Sequence, residues 1–530
     1  MLTQESKDEK GVLFASEPTQ PALGTKIIRN VMFGGLRYFL VVPIPFVMTP
    51  LILRKIGVAG YGTWAVFLAI NGLSSLADLG LVGTVSKFVA EYYAHKDFIA
   101  LTRLLNSGLS LFLLFDVVIG AAFWGATPWF AHILFHGSTV PISELVLLLR
   151  LFQIVVAANI LSQLFSSVTT GLQRLDLTHM VSAANVIMNA VLGGLLLLRG
   201  SGLRGLVIGY TASGILTIGA YLILVRKLLP QVVLNPLRFD RTEARKMFGY
   251  SLRLYITQAA VAVHNQIEKV FLAMLVGVSA VGLYDIASDV ALKVRTVIGL
   301  ILGPLLPAAA ELSALGDEVR LKELYYRTHK YLAFFGVPIV FYVAVISSRF
   351  VELWIGSNMK MIALPLSVLL AVNFFNLATG PGFLIFAGSG NMKLGVQSAL
   401  LAIVLNVILS LGLIYKFGFA GAVMGTAGAL MISSGYFMVV FHRQTAYPVS
   451  RVLKSYLKPV LGSMLLLAVV LVVVPTKHLS WFGLIGMGLV FGTLYTAFIL
   501  SSRFFDEYDW SKIEGFVPAA RYARRIVRIA

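Results

Sequence analysis

Cysteine is absent from the 530 residues. That excludes disulfides, thiolate metal sites and a cysteine nucleophile, and it leaves the redox compartment without a marker. Charge is scarce: 13% of the residues are Asp, Glu, Lys or Arg, against 58% hydrophobic. The chain has no Walker-type glycine loop, so no ATPase is written into it, and no nucleophile elbow for a hydrolase. No His/Glu cluster has metal-ligand spacing. The Gly-Ser-Gly-Asn-Met run at 388–392 reads as a turn at a helix end, not a nucleotide loop. Residues 1–26 lack the basic start and apolar core of a signal peptide. With Glu5, Asp8, Glu9, Glu17, Pro18 and Pro21 they read as a disordered cytoplasmic tail.

What fills the chain instead is apolar sequence, with a mean hydropathy of +0.86. A membrane-crossing helix needs about 20 mostly apolar residues, so the length holds many crossings. The fold class expected is an all-α membrane protein of fourteen transmembrane helices: 27–53, 61–92, 98–125, 143–170, 176–198, 203–226, 245–275, 281–312, 325–348, 361–387, 393–415, 419–441, 452–474 and 479–502. Pro304, Pro307 and the Gly380-Pro381-Gly382 run suggest kinks in two of them.

The formal charge of +19 would point to nucleic acid in a soluble protein. Its distribution points elsewhere. Of the 43 Lys and Arg residues, twenty-nine fall on the side of the N-terminus, eight on the opposite side and six inside helices. Basic residues mark the cytoplasmic side, so both termini are expected in the cytoplasm, and no nucleic-acid partner is needed to explain the charge. The last ten residues, Arg-Tyr-Ala-Arg-Arg-Ile-Val-Arg-Ile-Ala, read either as a basic amphipathic helix on the inner leaflet or as a frayed tail.

The chain also repeats itself. Gly-Val-Ala-Gly-Tyr-Gly-Thr-Trp at 57–64 resembles Gly-Val-Ser-Ala-Val-Gly-Leu-Tyr at 277–284, an offset of 220. At offsets of 216–217, Asn189 falls on Asn406, and Gly202, Gly205 and Gly209 fall on Gly418, Gly421 and Gly425. Six helices per repeat is an even number, so the halves share one orientation about an axis along the membrane normal. The expected organisation is an N-lobe (27–226, helices 1–6), a cytoplasmic linker (227–244) and a C-lobe (245–441, helices 7–12). Helices 13–14 (442–502) and a basic cytoplasmic tail (503–530) follow. Substrate sites in such plans sit between the lobes near mid-membrane.

The segment Arg253–Arg295 carries the most improbable residues. A charge near the centre of a membrane helix costs about 2.5–3.5 kcal/mol even on the lenient insertion scale, so these side chains should face one another or a wet cavity. Arg253, Thr257, His264 and Glu268 recur at helical spacing. Asp285, Asp289 and Lys293 are each four apart, with Arg295 to one side. Arg37 lies on the first helix, Asp78 on the second and Arg150 on the fourth. Each has a structural alternative. Asp289 and Lys293 read also as an internal ion pair, Asp78 as a partner of Arg37, and His264 as a hydrogen-bonded structural residue. Glu268 and Lys269 approach the outer surface, where Lys269 is expected to snorkel; Arg150 reads either as snorkelling to the outer interface or as facing the cavity. Asn185, Asn189 and Asn406 read as helix-bridging amides. The arginines resist this treatment best, because guanidinium stays charged and its fork suits phosphate.

Two stretches carry a family resemblance. They are G-V-A-G-Y-G-T-W-A-V-F from residue 57 and A-D-L-G-L-V-G-T-V-S-K-F-V-A-E-Y from residue 77, with G-F-A-G-A-V-M-G-T from residue 418 in support. They resemble bacterial polysaccharide-transport flippases of the Wzx type, within the multidrug/oligosaccharidyl-lipid/polysaccharide exporter superfamily. The resemblance implies a flippase in the bacterial cytoplasmic (inner) membrane. It would move undecaprenyl-diphosphate-linked oligosaccharide units outward by alternating access through a cationic central cavity. It places Arg37, Arg253, Lys293 and Arg295 toward the diphosphate, with His264 and Arg150 as further cavity candidates. It implies drive by an ion gradient, proton or sodium, with no other cofactor. Asp78, Glu268, Asp285 and Asp289 are the coupling carboxylates, by location. Partners implied are the lipid-linked glycan, membrane lipids, and glycan polymerase or assembly proteins. Three other readings stay open: a lipid II flippase, a cation-coupled multidrug exporter with an acidic or aromatic cavity, and a non-transporting scaffold whose buried charges are all paired.

Overall fold

The computed structural model describes residues 40–74, 76 and 79–516, and among them there are helices and no strand. Residues 1–26 and the last ten residues, read above as tails, lie outside the described residues. The first bundle is α1 (Pro43–Leu73), α2 (Leu81–Ala94), α3 (Phe98–Leu134), α4 (Ile142–Gly171), α5 (Leu175–Leu198) and α6 (Gly202–Leu228). The second is α7 (Arg241–Leu275), α8 (Val278–Gly299), α9 (Leu305–Ala314), α10 (Glu318–Ile355), α11 (Ala363–Leu377), α12 (Gly380–Gly388), α13 (Lys393–Phe417) and α14 (Phe419–Thr445). Then come α15 (Val449–Val473), α16 (Trp481–Ser501) and α17 (Glu507–Phe516). α15 and α16 pack on the outside of α10 through Ile346, Leu467, Val470, Phe491 and Tyr495.

Eleven stretches among the described residues are long and apolar enough to cross a membrane. Two of them, Pro43–Leu73 and Lys393–Thr445, pass through a glycine corner, at Gly57 (φ 70°) and Gly418 (φ 56°). α7 is not among the eleven; it carries the charges singled out above. Three expected helices are broken. Residues 61–92 separate at Leu79 and Gly80, both with positive φ. Residues 281–312 break at the 3₁₀ turn Leu300–Leu302 ahead of Pro304, and residues 361–387 break between α11 and α12 ahead of Pro381. The backbone stays right-handed through both proline breaks, and Val278–Ala314 and Ser357–Gly388 each remain one apolar stretch, so these are the expected kinks: proline lacks the N–H that would continue the helical ladder.

The internal repeat is visible as paired close approaches. A Cβ on Gly62 would lie 1.7 Å from the carbonyl oxygen of Val278, and one on Gly282 would lie 3.1 Å from that of Val58. Gly62 and Gly282 are repeat equivalents, as are Val58 and Val278, so the repeated segment packs against its own copy. In a bilayer, helix contact rests on packing rather than on hydrophobic exclusion, and only small residues let two backbones come this near. The hairpins behave alike. A Cβ on Gly209 would lie 2.5 Å from Gly193 N, and one on Gly425 would lie 2.6 Å from Ser410 Oγ. Residues 193 and 410 are again equivalents.

α7 spans both bundles. Near its start it meets the first: Glu243 Oε2 accepts from Tyr92 (2.9 Å), and Gly80 lies against Ser251 and Tyr255. Farther along it meets α13 and α14. The preceding linker is strapped to α3, with Asn235 N–H donating to Asn106 Oδ1 (2.8 Å) and Asp240 N–H to Ser107 Oγ (2.9 Å). The segment after α16 is likewise held. Arg327 of α10 donates to Asp506 (3.1 Å) and Asp509 (2.8 Å), and Lys330 pairs with Asp509, so residues 503–516 are anchored rather than a free tail. Burial would raise the Asp506 carboxyl, but the Asp509 N–H and the Arg327 guanidinium outweigh it and hold its pKa at about 2. The contact therefore stays charged at neutral pH and weakens only as the pH falls from the ordinary carboxylate range through about 2.

Gly62→Ala is expected to destabilise the protein by about 1–3 kcal/mol or more, the cost of overpacking a tight contact. Gly486→Ala, at a position with open space, should be neutral. Thermal unfolding in detergent checks both, and equal melting temperatures would contradict the crossing described.

Candidate functional site

The corners at Gly57 (φ 70°) and Gly277 (φ 120°) require glycine and set α1 and α8 against each other at the Gly62/Gly282 crossing. Two residues past that crossing the surroundings of the two halves differ. In the first bundle Trp64 stacks edge-on to Tyr210 (5.5 Å) and Phe152 (6.3 Å). In the second, the repeat equivalents of Trp64 and Tyr210 are Tyr284 and Thr426, whose hydroxyls lie 2.8 Å apart. Thr426 donates to Glu268 Oε1 (2.8 Å), and so does Asn406 Nδ2 (2.5 Å). Glu268 is only 2% exposed. A chain in which Tyr284 donates to Thr426 and Thr426 to Glu268 satisfies both hydroxyls. Two further buried oxygens there, Asn406 Oδ1 and Ser410 Oγ, have no hydrogen-bond partner among the described residues.

Beside this network sits an ion-pair lock. Lys269 Nζ lies 2.6 Å from Asp285 Oδ1, and Tyr61 donates to Asp285 Oδ2 at 2.8 Å. Both charged side chains are buried, at 13% and 9% exposure. The lock joins α7, α8 and α1. Lys269 therefore does not snorkel and Glu268 is not solvated, contrary to expectation. Each has a partner in the interior, Asp285 for Lys269 and the Asn406 and Thr426 donors for Glu268, so neither is left as an uncompensated charge.

One turn on, Asp289 pairs with Lys293 along α8. Arg295 Nη2 donates to Asn376 Oδ1 of α11 (2.8 Å), and Asn376 Nδ2 donates to Ser434 Oγ of α14 (2.9 Å). The Arg295 Nε is buried with no hydrogen-bond partner among the described residues, as is His264 Nδ1, one turn before Glu268. His264, Glu268, Lys269 and Asp289 line a hollow of about 210 Å³, closed by Tyr284, Asn373 and Thr426. On the other face of α7, Val270 and Met274 help line an apolar hollow of about 440 Å³ with Ile70, Leu73, Phe123 and Phe130.

The structure thus gathers His264, Glu268, Asp285, Asp289, Lys293 and Arg295 around the α7–α8 junction. Arg150 stands apart: its guanidinium lies 4.7 Å over the Trp124 ring, between α3 and α4. Arg37 and Asp78 lie outside the described residues, and Arg253 is on α7 with its side chain outside them. Apart from His264, the described ionisable groups at the junction are three acids (Glu268, Asp285, Asp289) and three bases (Lys269, Lys293, Arg295), so this part of the site is balanced rather than strongly cationic. Tyr61, Tyr284, Thr426 and Asn373 join the candidate site although the sequence reading passed over them. The signal lay in the repeat: Tyr61 falls on Val281, and Tyr210 on Thr426, an aromatic-for-polar exchange.

The fold has relatives of known structure. A lipid II flippase MurJ in an inward closed conformation superposes with a TM-score of 0.73 at 16% identity, covering 90% of this chain and 99% of that one. An inward-facing multidrug resistance MATE family transporter of the MOP superfamily gives 0.58 at 15%, covering 79% and 98%. By sequence, the chain is 21% identical to the lipid II flippase MurJ of Bacillus subtilis, over 73% of this chain and 76% of the other. It is 20% identical to the "Putative O-antigen transporter" of Shigella flexneri, over 75% and 93%. The family model described as polysaccharide biosynthesis protein matches residues 27–313, more than half of the chain, and this protein belongs to that family.

Proposed function

We propose that this protein is a lipid-linked oligosaccharide flippase of the inner membrane, with both termini cytoplasmic. It moves a diphosphate-borne glycan from the inner to the outer leaflet by rocking one lobe against the other. The observation that carries the reading is a set of charged side chains, only partly satisfied, buried where two repeated bundles meet inside an otherwise apolar protein. Structural ion pairs alone do not account for a guanidinium with a spare buried N–H at Arg295 or an unpartnered ring nitrogen at His264. A diphosphate crossing apolar surroundings needs such donors, because an uncompensated buried anion is prohibitive. The names of the Bacillus and Shigella relatives, a lipid II flippase and an O-antigen transporter, support the same class of cargo.

The hollow of about 210 Å³ is smaller than the roughly 300–1,000 Å³ of ordinary ligand sites, so a glycan headgroup enters only when the lobes part. The Gly62/Gly282 crossing and the Lys269–Asp285–Tyr61 lock hold them together at what the charge asymmetry makes the outer end. Approach of the anionic headgroup to Lys293 and Arg295 competes for the cations that Asp289 and Asn376 now occupy. Glu268 supplies the coupling site in this reading. Its buried carboxylate carries a proton, or meets sodium together with the unpartnered oxygens of Asn406 and Ser410 once the Asn406 and Thr426 donors turn away. A second reading, lipid II as the cargo, has the same physics and rests on the fold likeness to MurJ.

Reconstitution in vesicles decides among these, with translocation of lipid-linked oligosaccharide and of lipid II scored with and without proton or sodium gradients. Arg295→Ala is expected to slow translocation about ten- to a hundred-fold, the loss of one charged hydrogen bond, while leaving membrane insertion intact. Wild-type rates would remove the diphosphate pathway from α8. Glu268→Gln should abolish stimulation by the gradient, and a variant still stimulated would move the coupling site elsewhere. Lys269→Met should cost about 3–5 kcal/mol of stability by stranding Asp285, and adding Asp285→Asn should recover part of it. A double variant no better than the single one would mean that the two groups are not a pair.

A further inference from the structure

At the end of the bundle that carries α17 lies a cavity of about 310 Å³ between α10, α15 and the turn that follows α16. Six cations line it: Arg327, Lys330, Arg451, Lys454, Lys458 and Arg503. Two acids line it, and both are already engaged. Glu323 is held by Arg327 (3.0 Å) and Arg451 (2.7 Å), and Asp506 by Arg327 (3.1 Å) and Lys330 (3.5 Å). Lys458 donates to the Ser502 carbonyl at 2.5 Å. Lys454 and Arg503 make no ion pair or hydrogen bond among the described residues. Arg503 follows the C-cap of α16 with φ 53°, the same left-handed helix-ending turn made at Lys96 and Gln173. Six cations against two acids that are already engaged, with Lys454 and Arg503 unpaired among the described residues, leave a positive cavity that suits an anionic ligand.

We propose that this cavity is a binding site for the phosphodiester headgroup of an anionic phospholipid of the inner leaflet, separate from the transport path. Three features choose a lipid over a free phosphate. The cavity lies where α10, α15 and α16 leave the apolar bundle, on the face that the basic asymmetry assigns to the cytoplasm, where anionic lipids collect. Tyr326 and Phe504 line it, placing aromatic rings at headgroup level. One residue round α15 from Lys454 and Lys458, an exposed stripe of Leu453 (64%), Leu457 (56%) and Leu461 (42%) runs away from the cavity along the bundle. An acyl chain lies along that stripe while the phosphate meets Lys454 and Arg503. The bound headgroup bridges α15 to the turn before α17, and so adds to the anchoring of Asp506 and Asp509 on α10.

The test uses the full-length protein in nanodiscs of phosphatidylcholine doped with phosphatidylglycerol, with lipid retention read by native mass spectrometry. Lys454→Gln with Arg503→Gln should weaken phosphatidylglycerol retention on the order of thirty-fold, as expected for two basic side chains at a membrane surface, and leave phosphatidylcholine unchanged. Arg226→Gln with Lys227→Gln removes the same charge at the exposed end of α6 and should change neither. Equal retention by the pocket variant and wild type, or equal loss in the α6 control, overturns the site. Inorganic phosphate at millimolar concentration should not displace the lipid; displacement would make free phosphate the ligand and overturn the lipid assignment.

Discussion

A carboxylate cannot sit inside an apolar bundle alone, and Asp285 shows how this protein meets that constraint. One oxygen takes the ammonium of Lys269 and the other the hydroxyl of Tyr61, so a single acid ties together helices from both repeats. A buried ion pair is weak evidence of net stability, since hydrophobic replacements often do as well, but breaking one side of it is costly. Parting α7 from α8 here would strand Asp285 without its cation.

The rest of the junction reads as a broken symmetry. Two copies of one glycine motif pack against each other through Gly62 and Gly282, and already at the crossing they differ, Tyr61 of the first copy falling on Val281 of the second. Beyond it, the first keeps an aromatic cluster around Trp64 and Tyr210, whereas the second has Tyr284, Thr426 and Glu268 at and beside the equivalent positions. The first bundle thus presents aromatic rings at this junction and the second a carboxylate with its hydrogen-bond donors. α7 divides them, with a polar hollow on the Glu268 face and an apolar one on the Val270 face. A cargo with a charged head and an apolar tail matches a helix with two such sides.

The charge balance at this junction bears on what passes. A purely cationic cavity would bind a diphosphate and hold it. Here Asp289 pairs with Lys293 and Asn376 accepts from Arg295, so in the proposed reading an arriving anion competes with partners already in place rather than meeting free cations. The far end of the bundle uses charge differently: its cations outnumber its acids, and the excess faces outward from the packed helices.

Hydropathy, the basic asymmetry and the glycine repeat were enough to read an all-helical membrane protein of two like halves, because apolar length and topology are local properties of a chain. The kinks at Pro304 and Pro381 were legible too, because proline removes a ladder N–H whatever its neighbours. The charged positions of α7 and α8 could be listed, yet not their pairing. Lys269 read as a snorkelling surface residue because Asp285 is sixteen positions away and its nearness depends on how α7 and α8 turn at Gly277. Tyr61, Thr426 and Asn406 joined the site only through helix crossings between distant segments. Residue order alone therefore determined which groups are too polar for lipid, since transfer energy belongs to the side chain. Which of them meet, and which are left with a hydrogen bond to give, was decided by the packing of one repeat on the other, since partnership in a low-dielectric interior is a matter of distance.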